Sequence, residues 1–477
     1  MIFLQPRKRF VSKGLHSFLR FFPLAAVYFL TASTCPLLAQ SADNSLTMKD
    51  GLYNIRKFGA LPDGRTDNTA AIQNAIDSAS ENGGGVVLVP VGRWLCAGHL
   101  VLKKGTHLSG MNQAPLSWEP VTGSILLATE GRDHEDQSAF ISMRSSTSVS
   151  GITIYYPEQT VDNIRQYPWT IQINSDPGIR NDVAFDTTIS DMTLINSYNG
   201  IRTGPNENGR HRIMGVHGCV LRRGIFVDWT GDIGRIENVQ FHSHFWASDA
   251  FHGDWSKTFA FMQQNLEAFV FGRTDWEYVT NTFVFPAKVG YHFIETSNGA
   301  CNGQFSGIGA DATDIAVLVD AIQPMGLLIT NGEFNSHLIK TSIQIVISKT
   351  ARGNVRFVNC GFWGPVEHNA LLQGDGFTSF SDCYFSNDND THQQASILVE
   401  AGKVQIQNCT FDAASAKHEG GHPLAEAEKL REPPSIHLSS GVRSAIIRGN
   451  NGFAGVKIDN EIGKRAIIND NEPFQRK

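Results

Sequence analysis

Several stretches of the chain concentrate side chains able to do chemistry. Asp275-Trp276-Glu277-Tyr278 sets two carboxylates two residues apart, and on an extended strand that spacing points both to one side. Carboxylates held together split their proton affinities and can serve as an acid and a base. A salt-bridged pair near Arg273 is the plain structural alternative, and Glu295 falls on the following strand segment. The stretch from Phe241 through His242, His244 and Trp246 to His252 and Trp255 is aromatic and rich in histidine. On a loop beside a groove, such rings can stack on sugars and exclude water; equally, they can pack the loop onto its scaffold. Arg222-Arg223 is a paired cationic site for an anionic group. His418-Glu419-Gly420-Gly421-His422 fits the zinc-peptidase string, but that chemistry needs both histidines on one helical face, and two adjacent glycines oppose the helix. No metal is assigned to it.

The elements that must position these residues follow from a repeat. An apolar residue, a spacer, Asn, Asp or Gly, two more residues and a second apolar residue recur along the chain. The central positions are Asp191, Gly215, Asn238, Asn281, Gly307, Asn331, Asn359, Asp382, Asn408 and Asn450, with an earlier copy at Gly151. Most spacings are 23–28 residues, and two larger gaps mark insertions at about 242–266 and 412–440. Between these turns lie short runs rich in β-branched and aromatic residues, such as Ile315-Ala316-Val317-Leu318-Val319. A coil of about 25 residues with short strands and an Asn turn predicts an all-β, single-stranded parallel β-helix. Asn, Asp and Gly suit the left-handed turn, so the repeated asparagines read as structural. The 45 glycines, 30 phenylalanines and 18% charged residues agree with many short strands joined by tight turns.

Cys360, Cys383 and Cys409 each follow the central turn residue and should form a ladder of free, buried thiols. Asp67-Asn68-Thr69 opens a helical pattern with Ile72, Ala75, Ile76 and Ala79 on one face, ended by Gly83-Gly84-Gly85. That helix is expected to cap the first coil. Residues 1–39 hold five bases and no acid, then an apolar stretch broken by Pro23 and Pro36, and read as a secretory signal. The predicted organisation is thus a signal at 1–39 and one β-helix domain at 40–477, with a cap at 50–110 and coils at 111–460. Beyond residue 39 the chain has 35 bases against 46 acids, which is not the footprint of a nucleic-acid binder. No membrane partner is expected once the signal is removed.

The run Phe58-Gly59-Ala60, Asp63-Gly64, Thr66-Asp67-Asn68-Thr69, Ala71-Ile72-Gln73, Gly83-Gly84-Gly85-Val86-Val87 and Leu108-Ser109-Gly110 closely resembles the opening of the pectate-lyase superfamily, the rhamnogalacturonase/epimerase-like group that includes polygalacturonases. The dense likeness covers about 53–110; later coils share only the period. The resemblance implies a right-handed β-helix acting on polysaccharide. The Asp-Asp pair and Gly-His-Gly triplet of polygalacturonases are missing, which argues against galacturonan hydrolysis by that arrangement. In those relatives the catalytic residues lie about eight to ten residues after the first apolar residue of the turn. That offset implies one line here: Tyr198/Asn199, Arg222/Arg223, His244/Trp246, Lys288, Asp314, His337, Glu367/His368 and Asp390.

Asp314 leads the catalytic candidates, with Glu367, Asp311, Glu277, Asp275 and His337 in support. Arg222, Arg223, His244, Trp246, Lys288 and Glu295 would bind substrate. Asp314 and Glu367 would lie two coils apart, roughly 10 Å between backbones, near the carboxyl separation of an inverting glycosidase. The leading expectation is a secreted or periplasmic glycoside hydrolase that works without a cofactor, as a monomer or homotrimer, on a polysaccharide. The alternative is a lyase or epimerase using Ca²⁺ at Asp275 and Glu277, with Lys288 or an arginine as base; a noncatalytic, adhesin-like carbohydrate-binding β-helix is the third reading.

Overall fold

The computed structural model describes residues 47–111, 122–175, 178, 182–336, 341–386, 394–412, 434–452 and 455–474. The chain divides into two units, Met1–Ser45 and Leu46–Lys477; only the second falls within the described residues. The segment expected to be a signal, His337, Asp390, the 418–422 string and most of the second insertion lie outside them.

From residue 52 onward the chain winds into a right-handed parallel β-helix with three faces. Face 1 stacks fifteen parallel strands in chain order, from Leu52–Asn54 to Ala466–Asn469. Face 2 follows the repeated turn, with strands such as Phe283–Phe285, Gly309–Asp311, Glu333–Asn335 and Gly361–Trp363. Face 3 includes Glu267–Phe271, Ala287–Phe293, Thr313–Val319, Ile343–Ile347 and His368–Leu372. The long strands Thr193–Thr203 and His217–Val227 run through faces 2 and 3 without a break.

The turn between faces 1 and 2 carries the register. Val149, Ile189, Ile213, Ile236, Val279, Phe305, Ile329, Phe357, Phe380, Ile406, Ile447 and Ile468 pair in succession. Two residues after each, the backbone is left-handed, with φ between 52 and 65°. Every one of these positions holds Asn, Asp or Gly, the residues that tolerate that conformation. Asn359 Nδ2 donates to Asn331 Oδ1 at 2.8 Å, linking successive coils. The expected column is therefore present, with one correction. In the late coil the turn residue is Gly449, not Asn450. Asn450 points inward, accepting from the Cys409 N–H at 2.9 Å and donating to the Ile406 carbonyl at 3.1 Å.

Phenylalanine fills the core as stacked columns. Phe334, Phe362, Phe385 and Phe411 lie on successive face 2 strands with ring centroids 5.3, 4.9 and 5.0 Å apart. Cys360, Cys383 and Cys409 are free and buried, as are Cys96, Cys219 and Cys301. Helix α1 (Thr69–Glu81) buries Ile72, Ala75, Ile76 and Ala79 and packs on the strands of the first coils. Asp67 Oδ1 accepts from the Thr69 N–H and from its hydroxyl, at 3.0 and 2.6 Å, and so fixes the helix start. The first insertion is more ordered than a loop: it contains helix α2 (Trp255–Asn265), begun by Asp254 Oδ1 accepting from the Lys257 N–H at 3.0 Å. Among the described residues no helix is long and apolar enough to cross a membrane.

Candidate functional site

Asn199, Arg223, Glu267, Val289, Ile315, Ile343 and His368 are register partners on successive face 3 strands; Asn199, Val289 and His368 are covered, while Arg223, Glu267, Ile315 and Ile343 are half-buried. The residues one position earlier form a parallel row: Arg222, Leu266, Lys288, Asp314, Ser342 and Glu367. Four of the residues chosen by offset do share this row. His244 and Trp246 do not. Counting from Ile236 ignores the insertion, after which this coil contributes Leu266 and Glu267 instead. Between Asp314 and Glu367 the intervening coil supplies Ser342, whose carbonyl accepts from the Glu367 N–H at 2.8 Å. Asp314 is half-buried; burial raises its carboxyl above the usual range, and the Lys288 ammonium opposes that in part.

At the upstream end of the strip the ionic side chains converge. Glu267 Oε2 accepts from Arg222 at 2.9 Å and from Arg223 at 3.4 Å. Its Oε1 lies 3.1 Å from His292 Nδ1, and His292 Nε2 lies 2.8 Å from Asp320 Oδ2. The His292 hydrogen bond, with Arg222 behind it, lowers the Glu267 carboxyl to about 2 against the opposing cost of burial. His292 shifts upward: burial lowers it, but its bonds to Glu267 and Asp320 outweigh that, favouring the imidazolium. Tyr198 stands beside the arginines. Burial and the Glu135 charge raise its phenol, while Arg222, the Gln166 side chain and Arg223 pull it back. Asn199 Nδ2 donates to Glu135 Oε1 at 3.1 Å and to the Tyr167 carbonyl at 3.0 Å, tying the segment around Glu135 to this end of the strip. The result is a half-buried patch with excess cationic donors next to a phenol, suited to holding a carboxylate beside a group that can move a proton.

Other candidates fall elsewhere. Glu277 is sealed in the interior, its Oε1 2.9 Å from His211 Nε2 and its Oε2 accepting from Thr274 Oγ1 at 2.8 Å. Gly234 leaves room for this pair, since a Cβ there would run into both side chains. Asp275 points outward and is ion-paired with Arg273. The two carboxylates do not share a side because Trp276, at φ 55°, breaks the alternation between them. They therefore form neither an acid/base pair nor a Ca²⁺ site. Among the described residues no group of three or more His, Cys, Asp or Glu side chains is placed to hold a metal. Trp246 is wholly buried, its indole N–H donating to the Phe251 carbonyl at 2.9 Å, so it packs the insertion instead of lining a subsite. His244 is half-buried, with ring centroids 4.3 Å from His242 and 5.5 Å from Trp255. Glu295 is exposed just beyond the strand Ala287–Phe293.

Asp311 lies on face 2 and not with Asp314, because Ala312, at φ 52°, turns the chain between them. It lines a cavity of about 440 Å³ with Phe283, Glu333, Asn335 and Trp363. Glu267, His292, Asp320, Glu333 and Trp363 were not singled out in the sequence. A count restarted after the insertion would have placed Glu267 beside Arg223.

Comparison with known proteins bears on the beginning of the chain and on its fold. Residues 52–123 match the family model described as rhamnogalacturonase A/epimerase, pectate lyase-like. This segment is thus similar to the opening of pectate lyase-like proteins. Alginate lyase 7 of Azotobacter vinelandii is 36% identical over 97 residues, covering 17% of this chain and 11% of that protein. Mannuronan C5-epimerase AlgE1 of the same organism is 45% identical over 65 residues, 12% of this chain and 5% of that protein. The chain thus spans about a tenth or less of the length of these curated relatives. The bacteriophage phi29 gene product 12 N-terminal fragment shares the fold, with a TM-score of 0.54 at 12% identity over 84% of this chain and 66% of that one.

Proposed function

We propose that this pectate lyase-like protein is an enzyme that modifies an acidic polysaccharide, and that the face 3 strip is its active site. The observation carrying this reading is the convergence of Arg222, Arg223, Glu267 and His292 beside Tyr198 on one outer face. A uronate carboxylate placed on the two arginines has its charge neutralised, which acidifies the adjacent C5 proton. Glu267 uses one donor of each guanidinium, leaving others for substrate. Tyr198 is the acid/base candidate, and Glu267 with Asp320 fixes His292 as the neighbouring cation. After the C5 proton leaves, breaking the C4–O bond gives an unsaturated uronate and a new reducing end; return of a proton from the opposite side gives the C5 epimer. The likeness to an alginate lyase and to mannuronan epimerases supports this class.

Glycoside hydrolysis is a second reading, favoured by the raised Asp314 carboxyl and by its two-coil separation from Glu367. A panel of alginate, polygalacturonate and neutral glycans separates the two. Ultraviolet absorbance of an unsaturated product marks a lyase, and C5 deuterium incorporation without cleavage marks an epimerase. Reducing ends without absorbance mark a hydrolase. The expected result is one of the first two on a polyuronate, lost in Tyr198→Phe and in Arg222→Ala/Arg223→Ala. Full turnover in both variants would refute the assignment.

A further inference from the structure

The twelve register-matched left-handed turns use only Asn, Asp and Gly. Two other left-handed positions break that rule with the bulkiest side chain available. Trp229 has φ 48° and Trp276 φ 55°. Tryptophan gains nothing locally from this conformation, so the surroundings must impose it. They do: the Trp229 carbonyl accepts from Asn208 N–H and Nδ2 at 3.1 and 3.2 Å, and the Trp276 N–H donates to Asn302 Oδ1 at 3.0 Å. The left-handed backbone at Trp276 turns Glu277 inward, but the two tryptophan side chains do not themselves fill the core. Trp229 is 40% exposed and Trp276 is 60% exposed. They lie on consecutive coils at the corner where face 3 passes to face 1, since Thr230 pairs with Thr274 and Arg235 with Tyr278. Asp275, bonded to Arg273 and Gln323, supplies a fixed polar rim between the rings and the next coils.

We propose that Trp229 and Trp276 form a second polysaccharide-binding platform, distinct from the face 3 strip. Six residues of extended chain separate Trp229 from Arg223, roughly 20 Å. Two aromatic faces presented on successive coils offer a linear polymer consecutive stacking sites, and the rim offers donors and acceptors for its hydroxyls. The platform would hold long chains near the active strip and would contribute nothing to an oligosaccharide too short to span both. This proposal rests on the reading that the protein acts on a polysaccharide.

The test uses the full chain and Trp229→Gly/Trp276→Gly. Glycine accepts positive φ freely, which offsets part of the packing lost with the covered portions of the two rings, so the melting temperature should shift by only a few degrees. The probes are the polyuronate turned over by the wild type and its trisaccharide. Expected are loss of retardation in an affinity gel containing the polymer, a KM for polymer raised about tenfold, and unchanged kcat/KM on the trisaccharide. Unchanged polymer binding in the variant overturns the platform, as does an equal loss of kcat/KM on the trisaccharide, which would make the rings structural. A wild-type dimer that becomes monomeric in the variant overturns it in favour of a contact between copies. If the wild type neither binds nor alters any polyuronate, the functional reading fails first; if it does both and the variant matches it, only the platform fails.

Discussion

Replacing Glu267 by Gln keeps the shape of the central carboxylate and removes its charge. Glu267 is 19% exposed and meets two guanidiniums and His292. Its carboxyl is lowered from an ordinary 4.5 to about 2. A depression of that size corresponds to about 3 kcal/mol of stability at neutral pH, comparable to the cost of breaking a partly buried ion pair. Because the folded chain binds this proton more weakly than the unfolded chain, the stabilisation is complete above the unfolded value and fades as pH falls toward about 2. With an unfolding entropy of about 2 cal/mol/K per residue over the roughly 430 residues from 47 onward, 3 kcal/mol corresponds to about 3 °C in melting temperature at pH 7. Calorimetry of wild type and Glu267→Gln from pH 3 to 8 reads this directly. The gap should be largest at neutral pH and should narrow steadily below pH 4.5. A gap equally wide at pH 3 would refute the electrostatic argument and assign the loss to packing. In the same variant the His292 titration, followed by NMR, should move down, since one of its two carboxylates is gone.

Other outcomes follow from the same geometry. Asn359→Ala should cost about 1–2 kcal/mol in chemical denaturation, through the lost bond to Asn331 and the left-handed backbone, whereas Asn359→Gly should cost less. Trp246→Ala should destabilise by about 3–5 kcal/mol without changing the KM of the folded fraction, because its ring is wholly internal. Glu277→Ala should cost about 3–5 kcal/mol by stranding buried His211, with single-turnover rates per folded molecule unchanged. Cys96, Cys219, Cys301, Cys360, Cys383 and Cys409 should resist an aromatic disulfide reagent in the native chain and react in guanidinium, as peptide mass spectrometry would map.

The fold was legible because each coil repeats one local rule. A short apolar run ends at a residue that accepts left-handed backbone, and Asn238, Asn281, Asn331, Asn359 and Asn408 announce it by type. The thiol ladder followed from the same phase. The one slip, Asn450 for Gly449, arose where both neighbours suit the turn and only the backbone of the adjacent coil selects between them. The site was less legible, since it depends on which side chains meet across coils. That pairing is set by the number of residues each coil spends before returning to the same face. Helix α2 displaced the count by a whole insertion, putting Glu267 where His244 had been expected, and the bulge at Trp276 turned Glu277 inward while Asp275 stayed outside. Residue types thus determined that the chain would wind and where it would turn. The meeting of Arg222, Arg223, Glu267 and His292 was decided only by the wound structure, because register across a parallel stack is a property of neighbouring coils and of no single stretch of sequence.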